Sequence, residues 1–411
     1  MLSVKKAQER ILASFKPLEG TTIAIEAALG CILSQDIISE IELPSFDNSS
    51  VDGFAVRTED LHLSDANNPV SLLVTADIPA GSVPTVSLGA GQAARIMTGA
   101  LLPTGADAVV MVEDTDFAHQ TAGSSAPDHV KILAKVKKND YIRKRGSDIL
   151  TGQKILPAGL KLRPQDIGML AMLGVPNVPV NKRPRVAIIS SGDELVPVNV
   201  PLKPGKIHDS NTYMLAALVE ILDCEVLQMG VAADRYEDVE ILFDRAANFE
   251  PDLIISSAGV SVGAHDFIKD VVEASGSLNF WKVDMRPGKP LAFGAFQDIP
   301  FFGLPGNPVS SFVNFLVFVE PALRLLKGEK TALRQTTLVT LKEPIESDGR
   351  ESYLRAQVTH ENGRAIATLT GHQGSGNLFS LVQANALLII PSGVKSCPPG
   401  SEVDAWILEN H

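Results

Sequence analysis

Cysteine is nearly missing from this sequence: Cys31, Cys224 and Cys397 are the only three in 411 residues, odd in number and far apart. No Cys-x-x-Cys pair exists, which excludes a zinc ribbon and a disulfide framework and fits a reducing compartment. Positive charge is also in deficit, with 36 Lys and Arg against 48 Asp and Glu and a formal net charge of −12. That excludes a nucleic-acid binder working by bulk electrostatics, so an anionic ligand must find its positive charge locally. No stretch reads as the roughly 20 continuous apolar residues of a membrane span. The opening MLSVKKAQERILASF spaces Leu2, Ala7, Ile11, Leu12 and Phe15 helically between charges, an amphipathic helix and not the apolar core of a signal peptide. These absences point to a cytoplasmic protein without a membrane or nucleic-acid partner.

Several catalytic signatures are lacking too. No GxxxxGK[ST] follows a strand and no GxGxxG opens a helix, which removes P-loop NTPases and the ordinary dinucleotide fingerprint. No HExxH spacing supports a catalytic zinc, and no GxSxG elbow supports a serine hydrolase. His208, His265 and His372 read as structural or solvated loop residues.

What is present is the composition of a folded chain, 45% hydrophobic and 20% charged, and long enough for several cores. Texture separates four zones. Residues 1–45 and 139–180 form a segmented linker domain, the second part holding a helix in RPQDIGMLAMLG between Pro164 and Gly174. Residues 46–138 are short β-like runs broken by Gly, Pro and Ser, with a hairpin tip near 118–129. Across 181–328 the runs RVAIISS, EVLQMGV and DLIISSAG alternate with helical patterns carrying Leu215, Leu218, Val219 and Leu222, then Val239, Leu242, Phe243 and Ala246. Such alternation indicates βαβ units and a covered, mostly parallel sheet. Residues 329–411 return to short strands. The fold class is multi-domain: a central α/β domain, two small β domains and a segmented linker.

Ligands of an open parallel sheet bind at the carboxyl ends of its strands. Three loops fall there: SSGDEL with Ser190, Ser191, Gly192, Asp193 and Glu194; SSAGVSVGAHD with Ser257, Gly259, Ser261, Gly263 and Asp266; and GLPGNP with Pro305, Gly306, Asn307 and Pro308. Small residues let backbone N–H groups approach a phosphate, and a helix N-terminus adds a favourable dipole. The nearest cations are Arg286 and Lys289 in MRPGKP, closed by Pro290, a turn that suits an oxyanion or pyrophosphate because it is fixed before the ligand arrives. A divalent ion bridging a pyrophosphate needs one or two carboxylates, with Asp266 the first candidate and Glu194 the second. Asp193 and Asp209 read as turn formers or helix caps.

Taken in order, SFDNSSVDGFAV, MTGALLPTGADAVVMVED, IRKRGSDI, SSGDELVP, IHDSNTYML, SSAGVSVGAHDF, MRPGKPLAFG and GLPGNPVSSF resemble the molybdopterin molybdenumtransferase family, which includes MoeA and the C-terminal domain of gephyrin. The resemblance spans nearly the whole chain. It implies an elongated four-domain subunit, a homodimer, and a central domain that binds molybdopterin. The implied reaction inserts molybdenum from molybdate into adenylylated molybdopterin and releases AMP, with Mg2+ or another divalent cation. It implies activity-linked roles for Asp52, Thr98, Asp148, Glu194, Asp234, Asp266, Lys289, Pro305 and Pro308, and brings Arg350, Arg355 and Ser375 to the anion site. The upstream adenylyltransferase and apo-molybdoenzymes are the implied protein partners.

Four positions depart from the family pattern: Arg286 stands where lysine is frequent, Val51 and Phe54 where Met and Tyr are common, and His208 where Tyr is usual. Arginine keeps the charge but presents a planar fork in place of a point donor. Two other functions fit parts of the sequence. Adenylyl transfer to molybdopterin needs only a similar α/β unit, and the flanking β domains argue against it. A gephyrin-like scaffold is expected to carry an extra N-terminal domain, whereas this sequence opens at the enzyme-like helix.

Overall fold

The computed structural model describes residues 1–119, 124–258, 267–330 and 332–408. The chain divides into two compact units, one of Met1–Gln35, Ala158–Gly168 and Pro176–His411, the other of Asp36–Pro157 and Met169–Val175.

The first unit contains a six-stranded sheet. Its strands are β1 (Arg185–Ser191), β2 (Glu225–Ala232), β3 (Leu253–Ser257), β4 (Gly276–Lys282), β5 (Pro290–Phe296) and β6 (Ile299–Leu304). They lie in the order β2-β1-β3-β6-β5-β4. The first four in that order are parallel, and β5 and β4 add an antiparallel edge. Helices of the chain include α1 (Val4–Leu12), α2 (Pro164–Met172), α3 (Asn211–Ile221), α4 (Tyr236–Ala247), α5 (Phe267–Ser275) and α6 (Pro308–Leu326).

A parallel sheet must be covered on both faces, and successive side chains of a strand point to opposite faces. Val186, Ile188, Leu253 and Ile255 accordingly join one core with α1, α3 and α6. Ala187, Ile189 and Ile254 join a second core with α4 and α5. The predicted helix faces are the buried ones: Leu215 and Val219 in the first core, Val239, Phe243 and Ala246 in the second.

Helix α6 is by length and composition apolar enough to cross a membrane, but 83% of its apolar window is buried inside the protein, so its apolarity is that of a core helix. A π-helical turn, Phe315–Val319, interrupts it midway.

The C-terminal strands close a barrel. β7 (Thr337–Leu341), β8 (Glu351–Glu361), β9 (Arg364–Leu369), β10 (Ala386–Ile390) and β11 (Glu402–Ile407) pair in the ring β8-β9-β7-β11-β10-β8. Closure removes free sheet edges, and the interior is filled by Val339, Leu354, Ala356, Leu388 and Ala405. Two residues of the α/β region, Met285 and Arg286, pair in parallel with Glu351 and Ser352 at the start of β8.

The second unit holds a five-stranded sheet of Ala108–Met111, Gly53–Val56, Gln92–Ile96, Val70–Ile78 and His129–Ile132, in that spatial order. Phe54 and Val56 pack on one face, Ala55 and Ile96 on the other. Gly53 is required by crowding, since a Cβ there would sit 1.8 Å from the Val110 carbonyl oxygen. Residues 120–123 of the expected hairpin tip lie outside the described residues.

Phe243 anchors the second core of the α/β sheet, with its ring 5.1 Å from that of Phe296 and 5.6 Å from that of Phe301. Phe243→Ala is expected to destabilise this region by about 3–5 kcal/mol, lowering the midpoint of chemical unfolding. A midpoint equal to that of the wild type would place the core elsewhere.

Candidate functional site

β1 and β3 are neighbours, but the connection through α3 leads to β2 on one side and the connection after β3 leads away on the other. Their carboxyl ends therefore flank a topological switch point, where open α/β sheets bind ligands. Ser190 and Ser257 face each other in register there. Both hydroxyls are engaged: Ser190 Oγ lies 2.8 Å from Thr212 Oγ1, and Ser257 Oγ accepts from Asn211 Nδ2 at 2.7 Å. The same Asn211 amide donates to the Gly306 carbonyl at 2.8 Å, tying the end of β3 to the loop before α6. Asp209 is buried and accepts the Thr212 N–H at 3.1 Å, the capping role expected for it.

Beside this point the β1 loop folds back. Gly192 has φ 152°, a conformation that side chains rarely adopt, and the Glu194 carboxylate lies over it, 2.8 Å from where a Cβ would sit. Asp193 and Asp234 hold their two loops together by reciprocal bonds: the Asp193 N–H donates to Asp234 Oδ2 at 3.3 Å and the Asp234 N–H to Asp193 Oδ1 at 3.2 Å. A cavity of about 530 Å³ opens at the ends of β1 and β2, lined by Gly192, Asp193, Asp209, Thr212, Met229 and Ala232 among others. Ser191 is buried beside it. Pro305 is buried, Gly306 and Asn307 are exposed, and Pro308 occupies the first turn of α6. Gly259, Ser261, Gly263 and Asp266 lie outside the described residues. No group of three His, Cys, Asp or Glu side chains among the described residues could hold a metal ion by itself. Glu194, exposed at the loop, is one carboxylate of the kind that binds Mg2+ together with substrate phosphates.

The cations gather around the Arg286–Pro290 turn. Pairing of Met285 and Arg286 with β8 carries the turn to the barrel, where the Arg350 guanidinium donates to the Met285 carbonyl at 3.2 Å. Asp348 binds Arg350 at 2.5 Å and lies 3.9 Å from Arg286. The Arg350 hydrogen bond lowers the Asp348 carboxyl to about 2, so it is ionised wherever the protein works. Arg355 is fully buried on β8. Its Nε donates to Ser380 Oγ at 3.1 Å and its Nη2 to the carbonyls of Gly374 and His372, at 3.0 and 3.4 Å. Burial, and then the nearby charge of Arg286, lower its guanidinium to about 10, which leaves it cationic at neutral pH. The loop it organises contains Ser375, whose carbonyl accepts the Val309 N–H at 3.1 Å and so joins the barrel to the start of α6. Lys289 is exposed and makes no ion pair among the described residues.

Asp52, Thr98 and Asp148 belong to the second unit. Asp52 accepts both the N–H and the hydroxyl of Thr98 at 2.7 Å, which holds its carboxyl below the usual range. Asp148 pairs with Arg143 at 2.5 Å, both half-exposed.

Three residues of the site escaped the sequence reading. Asn211 lies within IHDSNTYML, and its place just inside a helix after Asp and Ser was its only signal. Asp348 stands two residues before Arg350, a spacing that suits a turn. Asn314, fully buried in α6, donates to the Gly288 carbonyl of the cationic turn at 3.1 Å. A buried amide within the apolar run FVNFLVFV was the available clue.

Comparison with known proteins gives this arrangement a family. Residues 2–174 match the MoeA N-terminal region (domain I and II), 187–325 a probable molybdopterin binding domain, and 339–408 the MoeA C-terminal region (domain IV). A molybdopterin molybdenumtransferase of Nostoc sp. is 40% identical over 385 residues, covering 92% of this chain and 86% of its own. Molybdopterin molybdenumtransferase 2 of Mycobacterium tuberculosis is 37% identical over 415 residues, covering 99% and 100%. The crystal structure of a molybdopterin biosynthesis MoeA protein from Pyrococcus matches with a TM-score of 0.85 at 33% identity, covering both chains completely. On three successive family matches and full-length relatives well above 30% identity, the chain belongs to the MoeA family of molybdopterin molybdenumtransferases.

Proposed function

We propose that this protein inserts molybdenum from molybdate into adenylylated molybdopterin and releases AMP, in the biosynthesis of the molybdenum cofactor. The observation that carries the reading is the gathering of Arg286 and Arg350 at one turn, with the buried Arg355 close enough to feel the charge of Arg286, in a protein of net charge −12; among the described residues Asp348 is the only carboxylate paired with them. A local excess of fixed guanidinium groups suits a small tetrahedral oxyanion, and molybdate is one.

The two anions of the reaction have separate places in this reading. The pyrophosphate of the adenylylated pterin takes the switch point, near Ser190, Ser191 and Gly192, Ser257 to Gly263, and Gly306 with Asn307 at the start of α6. Molybdate takes the turn Arg286–Pro290, with Lys289, Arg350, Arg355 and Ser375 around it. The hydroxyls of Ser190 and Ser257 already bond Thr212 and Asn211, so these serines act mainly by shaping the backbone. Mg2+ held by Glu194, Asp266 and the substrate phosphates would screen the phosphoanhydride charge while AMP leaves. Asp52, Thr98, Asp148, Asp234, Pro305 and Pro308 enter through the family motifs. A homodimer, a four-domain division at residues 1–45 with 139–180, 46–138, 181–328 and 329–411, and delivery by an upstream adenylyltransferase belong to the same proposal.

The decisive measurement is AMP release from adenylylated molybdopterin in Mg2+, with and without molybdate. Release that requires molybdate is the expected result. Release without it would point to an uncoupled hydrolase, and none at all to adenylyl transfer or scaffolding.

Two further outcomes follow from the cationic turn. Lys289→Ala is expected to raise the molybdate KM about tenfold, near 1.4 kcal/mol, the size of a partly solvated charge-assisted contact. A KM equal to that of the wild type would move molybdate elsewhere. Because Arg350 depresses the folded Asp348 pKa, the stabilisation from this pair is complete above the unfolded carboxylate value, near 4, and is lost as pH falls through about 2. Melting curves of wild type and Asp348→Asn should therefore differ at pH 6 and converge near pH 2. A constant difference across that range would show that the pair is not linked to folding.

A further inference from the structure

The apolar helix α6 contains a polar contact that ordinary core packing does not explain. Asn314 is fully buried, and both hydrogens of its amide are used: one goes to the Ser310 carbonyl of its own helix at 3.0 Å, the other to the Gly288 carbonyl at 3.1 Å. Its Oδ1 is buried without a partner. Burying a primary amide with one unsatisfied acceptor is unfavourable, so the position is not explained by the core's own stability. The bond to Ser310 fixes the rotamer, and the rotamer aims the second N–H at the Gly288 carbonyl.

The turn is built to receive that bond. Gly288 has φ 91°, and a Cβ there would lie 2.2 Å from Asn314 Nδ2, so only glycine admits the amide. The base of the turn is closed by the Val283 N–H donating to the Lys289 carbonyl at 2.8 Å. Its barrel side is fixed by pairing with Glu351 and Ser352 and by the Arg350 bond to Met285. Asn314 supplies the remaining hold, from the helix side, at the residue between Arg286 and Lys289. Directly after Asn314 the helix enters the π-turn Phe315–Val319, so the register of α6 changes at this contact.

We infer that Asn314 is a positioning residue that sets the conformation of the Arg286–Lys289 turn and thereby its affinity for the oxyanion. The oxyanion part rests on the assignment of this turn to molybdate; the mechanical part does not.

The test uses Asn314→Leu, which keeps the branched shape and the number of heavy atoms and removes both bonds, with Gly288→Ala as a second variant that disturbs the same contact from the turn. Hydrogen exchange of the amides in residues 283–290 is measured in the full-length protein without substrate, and steady-state AMP release is then titrated with molybdate and, separately, with adenylylated pterin. The inference expects faster exchange confined to the turn, a molybdate KM raised about tenfold, and kcat and the pterin KM little changed. Combining the substitutions should have less than the sum of their separate effects, because both break one contact. Unchanged exchange in a folded Asn314→Leu protein would overturn the inference. Faster exchange with an unchanged molybdate KM would instead overturn the assignment of the turn to molybdate, leaving Asn314 as a brace of the fold. If Asn314→Leu does not fold, the same two readouts on Gly288→Ala decide the question.

Discussion

The site depends on the burial of one helix. α6 packs against the sheet with Val309, Val313, Phe315, Leu316, Val317 and Phe318 in the principal core, so its position and rotation are fixed by apolar contact on nearly every side. Its first turns carry Ser310, Ser311 and Asn314 after the cap Asn307, and its last turns the Glu320–Arg324 pair. Each neighbouring part of the site is tied to the first turns. Asn211 reaches the Gly306 carbonyl just before the helix, the Ser375 carbonyl receives the Val309 N–H, and Asn314 reaches Gly288. Loops from the sheet, the barrel and the cationic turn thereby acquire one common reference.

The second constraint is charge. A guanidinium taken fully out of water is stable only if its N–H groups find acceptors, and Arg355 finds two carbonyls and a hydroxyl instead of a carboxylate. Neutral acceptors satisfy the hydrogen bonds without cancelling the charge. Arg350 is treated differently: Asp348 neutralises it and aims it, at 2.5 Å, on the protein surface. The region therefore keeps unneutralised positive charge at a defined place even though the chain as a whole is acidic. An anion drawn there meets donors whose positions are already fixed, which reduces the ordering required on binding.

The sequence revealed the layered α/β region well, because continuous apolar runs and helical stripes are local signals. RVAIISS and DLIISS are β1 and β3, and Leu215, Val219, Phe243 and Ala246 are buried where their spacing put them. The barrel was visible only as short strands. Its closure depends on β8 pairing with both β9 and β10, and no pattern within a strand encodes a partner so distant in the chain. The antiparallel edge of β5 and β4 was illegible for the same reason. At the site, the glycine-rich loops and the Arg-Pro-Gly-Lys turn are patterns of neighbouring residues, so the sequence could offer them as candidates. Asn211, Asp348 and Asn314 could not, since an asparagine or aspartate becomes informative only when the carbonyl or guanidinium opposite it is known. Nor was the role of Arg355 legible: burial inside β8 and three neutral acceptors are properties of the folded barrel alone.

The proposed chemistry asks for two anions to be held at a set separation, and α6 supplies a ruler for that distance. Pro308, at the switch-point end, and Asn314, at the cationic turn, are six residues apart on one helix. At roughly 1.5 Å per residue this fixes about 9 Å between the two ends, before any substrate binds. Loops alone would leave that spacing to fluctuate, and a misplacement of even one ångström weakens the alignment of reacting groups substantially. A buried helix cannot shift by so little without disturbing its whole core. The apolar character that makes α6 resemble a membrane span is, on this reading, what gives the site its dimensions: the more completely the helix is buried, the more firmly its few polar residues fix the loops that meet the substrate.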